Sequence, residues 1–356
     1  MAYGTEITTL VFDWGGTLML EDWRYAGSMV DWPEVQAVSG VHEGLQSLVS
    51  KFRLVIGTNA TASNAAQARK ALARVGLDSF FTDIFTFSEI KARKPEPDFF
   101  RGIEEALGVR PQQLLMIGND FWADVVGACT AGWKAVWYNP AGRACPGLNP
   151  LHQAELSRME DLPAALERIY LPDPQTCCLW CLEQGFPYNL WQHVQLVAAI
   201  AYQLAEWLRE KGEPIDPILA HRGGLLHDLA KISARQIGTK ASHGEVGASL
   251  LRERNQPELA EIARRHLIYT VLEKENAPRT WEEKLVYFAD KLTEGGRLVQ
   301  VEERLQALSQ RYKVEPAKMD QVLPLIMALQ AEIDSACGLE PGSLVKHLSE
   351  SLNGLV

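Results

Sequence analysis

VFDWGGTL, residues 11–18, decides how the first half of this chain is read. The apolar run TTLVFD (8–13) ends in the carboxylate of Asp13, and Gly15, Gly16 and Thr17 follow at once. Similar short runs recur outward from it: RLVIGTN (53–59), DIFTF (83–87), QLLMIGND (113–120) and KAVWYN (134–139). Their apolar residues are neighbours rather than strict alternates, as in strands buried on both faces. Helical patterns fall between them near 41–50, 61–75, 97–107 and 122–131. Strand–helix alternation predicts βαβ units and a parallel, Rossmann-like α/β sheet. Three runs end in polar groups: Asp13, Thr58 with Asn59, and Asn119 with Asp120. The carboxyl edge of such a sheet is where ligands bind.

At 356 residues the chain has room for about two domains. A hydrophobic share of 47% and a charged share of 22% are ordinary for a globular protein. The net charge of -10 argues against duplex nucleic acid as a partner, since phosphate backbones need clustered Lys and Arg. It does not exclude a small phosphorylated partner such as a nucleotide, which needs only a local basic or metallic site. No apolar run reaches the length of a membrane span. The start MAYGTEITTL lacks the basic region and apolar core of a secretory signal. Six irregularly spaced Cys do not form a disulfide framework, so a reducing cytoplasm is expected. Nothing in the sequence sets an oligomeric state.

LPDPQ (171–175) breaks the pattern and is read as a linker between domains at 1–170 and 176–356. Beyond it the chain reads as all-α. Residues 194, 197, 198, 201, 204, 205 and 208 are apolar at close to the 3.6 period, and further helices fit near 216–231, 243–254, 257–268, 281–293, 300–312 and 320–336.

Six residues stand out in this half: His193, His227, Asp228, His243, His266 and Asp290. Each falls on an apolar helix stripe: His193 with Val197, Ile200 and Leu204; His243 with Val246, Gly247 and Leu250; His266 after Leu259 and Ile262; Asp290 after Val286 and Tyr287. A single His in such a place is ordinarily a hydrogen-bonded core residue. Several polar groups aimed at one interior need partners, and a shared metal satisfies them together. Imidazole and carboxylate donors suit Fe, Mn, Zn or Co. QHVQLVAAIAYQLA (192–205), GLLHDLAK (224–231), HGEVGASLL (243–251) and EEKLVYFADKL (282–292) resemble the HD-domain phosphohydrolases. The resemblance spans roughly 177–310. It implies an all-helical fold with metal held by His193, the doublet His227-Asp228, and Asp290. It further implies His243 and His266 as ligands of a second ion bridged by Asp228, the alternative being a single ion with one or both His binding substrate phosphate or sitting in the core, and Lys231 as a phosphate-binding cation. Asp228 is also a candidate general base. Metal ions lower the pKa of bound water and, in pairs, clamp attacking and leaving oxygens.

In the first half, Asp13 in VFDWGGTL, Thr58 in VIGTNA, Lys94 in KARKPEPDFF, and Asp120 and Asp124 in IGNDFWADVVGA resemble the four motifs of the haloacid dehalogenase-like hydrolases, over about residues 5–140. The resemblance implies Asp13 as nucleophile, forming an aspartyl-phosphate. Thr58 would bind phosphate and Lys94 would neutralise charge. Mg²⁺ would be held by Asp13, the Gly15 carbonyl and Asp124, with Asp120 beside it. Two positions depart from the pattern. Gly15 stands where these phosphatases carry an acid/base Asp, and Asn119 replaces the first acid of the last motif, with Asp120 as its candidate substitute on the metal side. Loss of the acid/base is worth on the order of 10²–10⁴-fold in rate. Only about residues 19–40 remain for a cap, so no full helical cap is expected; Trp23, Tyr25 and Trp32 lie in that insert.

CCLWC (177–181) has one CxxC and no second pair for zinc, so these Cys are read as packing. VEERLQALSQR (301–311) reads as a solvated helix face. The resulting expectation is a two-domain phosphohydrolase whose HD-like half acts on a phosphomonoester or phosphoanhydride. The alternative is a regulator, in which the first half senses a phosphorylated metabolite and controls the second.

Overall fold

The computed structural model describes residues 7–238, 240–312 and 316–353. It divides into two compact units. The first runs to Ala144 and resumes over Leu151–Tyr170; the second takes Cys145–Pro150 and continues from Leu171.

The first unit is built on six parallel strands: β1 (Thr9–Phe12), β2 (Arg53–Gly57), β3 (Asp83–Phe85), β4 (Leu114–Gly118), β5 (Lys134–Tyr138) and β6 (Ala154–Leu156), in the order β3-β2-β1-β4-β5-β6. Every residue of β1 and β4 is buried, which accounts for their unbroken apolar runs. β6, three residues long, gave no periodic signal. Phe12 lies level with Ile56 on one side and Ile117 on the other. The residues just beyond, Asp13, Thr58 and Asn119, therefore emerge together at the point where the strand order reverses, the usual ligand crevice of such sheets.

The longer helices of this unit are α1 (Val41–Gln46), α2 (Ala65–Ala73) and α3 (Pro97–Leu107). Asn64 and Gln67 close α2 with a capping box. α3 starts with Pro97 at its first turn and ends on left-handed Gly108, burying Phe99, Phe100 and Ile103. The 19–40 insert contains one helical turn, Met29–Asp31, and no cap helix.

The second unit is helical: α4 (Pro174–Glu183), α5 (Tyr188–Glu210), α6 (Pro217–Leu226), α7 (His243–Glu253), α8 (Pro257–Arg265), α9 (Trp281–Lys291), α10 (Val301–Tyr312), α11 (Pro316–Cys337) and α12 (Leu344–Asn353). All the apolar positions counted from 194 to 208 are buried in α5. α6 is buried throughout, and a Cβ on Gly224 would lie 2.4 Å from the Cα of Ala198, so only glycine lets α5 and α6 approach this closely. The helix expected over 216–231 ends at Leu226. The backbone tightens there, with Leu229 N–H donating to Leu226 and Lys231 N–H to Asp228, before the short helix Ser233–Ile237. A small hairpin, Thr293–Glu294 with Arg297–Leu298, interrupts the all-α pattern. Buried Arg222 of α6 donates to the carbonyls of Pro172 (2.7 Å) and Pro150 (2.8 Å), which ties 145–150 to this unit. The six cysteines are free thiols, with Cys177 and Cys181 buried. No helix among the described residues is long and apolar enough to cross a membrane.

Candidate active sites

In the second unit the six singled-out residues converge from five helices. His193 comes from the first turns of α5, and His227 and Asp228 from the tightened turn after α6. His243 opens α7, His266 ends α8, and Asp290 lies in the last turn of α9. The carboxylate of Asp228 faces two imidazole pairs, one with each oxygen. Its Oδ2 lies 3.8 Å from His193 Nε2 and 3.5 Å from His227 Nε2. Its Oδ1 lies 3.1 Å from His243 Nε2 and 3.3 Å from His266 Nε2. Asp290 Oδ1 joins the first pair, 3.1 Å from His193 Nε2 and 3.9 Å from His227 Nε2.

The hydrogen bonds around this cluster show what it lacks. His227 Nδ1 is 2.7 Å from the Gly224 carbonyl and His266 Nδ1 is 2.6 Å from the Ala263 carbonyl. A carbonyl only accepts, so both Nδ1 atoms carry the proton, and the neutral rings aim Nε2 lone pairs inward. Burial pushes the His227 imidazole down to about 3 and lowers His266 as well, which keeps both neutral. Those lone pairs meet carboxylate oxygens and, at 3.1 Å, the Nε2 of His243. His193 Nε2, His227 Nε2 and Asp228 Oδ1 are buried without a hydrogen-bond partner. Two donor triads, His193-His227-Asp228 and Asp228-His243-His266, each lie within ion-binding reach of one another. The inward lone pairs of His227 and His266, beside two ionised carboxylates and two further imidazoles, fit transition-metal ions.

Positive side chains hold the acids ionised. Burial opposes the charge on Asp228, yet Lys231 and then His227 keep it well below the ordinary carboxylate range; Lys231 Nζ sits 2.5 Å from Asp228 Oδ2. Asp290 is likewise held down by Lys291 (2.6 Å) and Arg304 (3.0 Å). Arg304 comes from α10, read as a solvated face, and is buried. It shares its stripe with buried Val301 and Leu305, an i, i+3, i+4 pattern that marks it in the sequence. A cavity of 410 Å³ opens on this cluster, lined by His193, Lys231, Arg235, Glu294, Arg304 and Arg311 among others.

The first unit gathers its own set at the carboxyl edge of the sheet. Lys94 Nζ lies 2.7 Å from Asp13 Oδ1 and 2.6 Å from Asp124 Oδ1. Burial alone would lower Lys94, but Asp124 and Asp13 hold its ammonium above the ordinary value. Burial raises the Asp124 carboxyl against the pull of Lys94. Asp124 Oδ2 accepts the N–H of Asp120. Asp120 Oδ1 caps the next turn by accepting from Trp122 and Ala123. Thr17 Oγ1 donates to Asn119 (3.1 Å), and Thr58 is buried at the pocket floor. Asn59 grips the main chain of Lys94 at both N–H (2.7 Å) and carbonyl (2.9 Å), a positioning contact that the spacing did not reveal. Glu21 also enters this pocket; burial and then the Asp13 charge raise its carboxyl. The pocket measures 790 Å³ and includes Asp13, Thr58, Lys94 and Asp124 together with Trp23, Tyr25 and Trp32 of the insert.

The family model for the HD domain matches residues 190–295, and that for haloacid dehalogenase-like hydrolases matches residues 9–138. The chain is a haloacid dehalogenase-like domain joined to an HD domain. An uncharacterized protein of Methanocaldococcus jannaschii is 34% identical over 134 residues, 35% of this chain and 77% of that protein. A pyrimidine 5'-nucleotidase of Streptococcus pneumoniae is 34% identical over 107 residues, 30% of this chain and 44% of that protein. The N-acylneuraminate-9-phosphatase of Mus musculus is 32% identical over 126 residues, 35% of this chain and 50% of that protein. The chain thus spans about half the length of these two phosphatases. Both domain types, with phosphatases among the relatives, mark the chain as a phosphohydrolase. HD domains bind divalent metals, and haloacid dehalogenase-like hydrolases use Mg²⁺.

Proposed function

We propose that the HD domain is the principal catalytic centre and hydrolyses a phosphomonoester or phosphoanhydride of a small metabolite, a nucleotide first among candidates. The observation that carries this reading is Asp228, whose two oxygens each face a pair of imidazoles. His193, His227, Asp290 and Asp228 would hold one ion of Fe, Mn, Zn or Co; His243, His266 and Asp228 would hold a second. Such ions supply electrophilic activation of water and of the phosphoryl group. The protein's own side chains do the rest. Gly224 and Ala263 carbonyls fix the ring tautomers, and Lys291 and Arg304 keep Asp290 ionised and in place. The cationic lining of the 410 Å³ cavity draws a phosphate toward the cluster in a chain of net charge -10. The pyrimidine nucleotidase among the relatives supports a nucleotide substrate for the haloacid dehalogenase-like domain.

In the haloacid dehalogenase-like domain, Asp13 is the proposed nucleophile, Thr58 the phosphate-binding hydroxyl and Lys94 the neutralising cation. The carboxylates of Asp13 and Asp124 with the Gly15 carbonyl form an all-oxygen donor set of the kind Mg²⁺ takes. Asp120 lines the same pocket and is proposed as a further oxygen donor on the Mg²⁺ side, its Oδ1 also accepting from Trp122 and Ala123.

The test is elemental analysis of protein purified without added metal, followed by a nucleotide hydrolysis screen. Two equivalents of transition metal are expected. Asp228→Asn should lose metal at both positions, and its activity should fall by more than the roughly 10–100-fold that loss of an outer hydrogen-bond partner costs. Reconstituted protein that binds no metal, or an Asp228→Asn variant that retains full hydrolysis, overturns the reading.

A further inference from the structure

Gly15 is the residue that casts doubt on chemistry in the first domain, because phosphatases of this kind carry an acid there. The place of that missing side chain is filled. A Cβ built on Gly15 would lie 2.3 Å from Glu21 Oε1 and 3.0 Å from Glu21 Cδ. Gly15 is not among the glycines with left-handed backbone, in contrast to Gly16 at φ 74°. The backbone would accept an L-residue here, and the space beside it is held by the carboxylate of Glu21, the end of a flexible side chain.

The chain is folded back to bring Glu21 to this point. Leu18 and Met19 N–H both donate to the Trp14 carbonyl (2.9 and 3.1 Å), and Gly16 N–H donates to Met19 (2.8 Å). Leu20 N–H donates to Gln36 and Val38 N–H to Leu18, each at 2.9 Å, which pins the returning strand to the insert. Glu21 is the next residue. It lines the same 790 Å³ pocket as Asp13, Thr58, Lys94 and Asp124, and stays open to solvent.

We propose that Glu21 is the general acid/base of this domain, acting from residue 21 in the space that an acid at residue 15 would occupy, and that the domain is a phosphomonoesterase in its own right. Asp13 attacks phosphorus and the bond from phosphorus to the ester oxygen breaks; protonated Glu21 gives its proton to that oxygen, releasing an alcohol. A water then attacks the aspartyl-phosphate and Glu21 carboxylate takes its proton. The bond from phosphorus to Asp13 breaks, freeing inorganic phosphate and restoring both carboxyl groups. This inference rests on Asp13 as nucleophile and is independent of the HD-domain reading.

The experiment uses the full chain carrying Asp228→Asn, with Mg²⁺ present, and counts only turnover that Asp13→Asn abolishes. Glycerol phosphate has a leaving group that needs a proton; 2,4-dinitrophenyl phosphate has one that does not. Glu21→Gln should slow the first on the order of 10²–10⁴-fold. With the second it should still release phenolate in a burst and accumulate phosphoenzyme, seen by acid-quench mass spectrometry, because water activation is then lost. Gly15→Asp added to Glu21→Ala should recover glycerol phosphate turnover that Glu21→Ala alone loses. Absence of Asp13-dependent turnover in the parent, equal slowing of both substrates without phosphoenzyme, or no effect of Glu21→Gln overturns the proposal.

Discussion

The two sites solve the same electrostatic problem in opposite ways. In the haloacid dehalogenase-like domain the acids carry their own counter-ion: Lys94, buried, bridges Asp13 and Asp124. In the HD domain the corresponding place is surrounded by inward lone pairs, and three of those atoms have no hydrogen-bond partner. Lys231, Lys291 and Arg304 neutralise the acids of this cluster. The first site is therefore electrostatically closed without metal, and the second is not. A buried polar group left unpaired costs free energy until something fills its valence.

Metal removal should break this symmetry most visibly. Each ion bound at about a thousand-fold excess over its Kd adds about 4 kcal/mol of stability. Chelation should lower the unfolding transition of the HD half by many degrees and leave that of the first half nearly in place, as calorimetry of the full chain would show. Equal shifts in both transitions, or none, would contradict the contrast. Next in size, Lys94→Met should make the first site resemble the second, since removing one member of a buried ion pair costs about 3–5 kcal/mol. That variant should regain more stability on adding Mg²⁺ than the parent does, measured by denaturant unfolding; a parent-like response speaks against Lys94 as the internal counter-ion. The smallest effect is expected from Arg304→Met, which removes one of the two cations holding Asp290. Metal affinity should fall roughly 10–100-fold, with the fold retained. Competition with a coloured chelator reads this directly, and unchanged affinity would make Arg304 a packing residue.

Much of this arrangement was legible in the sequence because it is periodic or local. Five of the six strands and the edge residues Asp13, Thr58 and Asn119 follow from apolar runs with polar ends. His193, His243 and Asp290 follow from polar residues on apolar stripes. The end of α6 at Leu226 was not legible: no Pro or Gly lies between 227 and 232, so periodicity alone carries the helix onward. The tightened turn there is a tertiary outcome that lets His227 and Asp228 both face the cluster. Glu21 and Asn59 were missed for a different reason. Each acts through chain reversal or a main-chain contact, and neither leaves a repeating pattern. The Gly15 departure was visible, but its meaning depends on which side chain fills the vacated space.

The segment at 145–150 has a consequence for how this polypeptide is made. The chain leaves its first unit after Ala144, contributes six residues to the other, and returns at Leu151 to complete β6. Buried Arg222 later collects the carbonyls of Pro150 and Pro172. During synthesis, Pro150 emerges well before the guanidinium that will hold it, so the second unit contains a stretch of chain made ahead of its main partner. Cutting the polypeptide once, near residue 171, would leave Arg222 without one of its acceptors and the first unit with an orphaned loop.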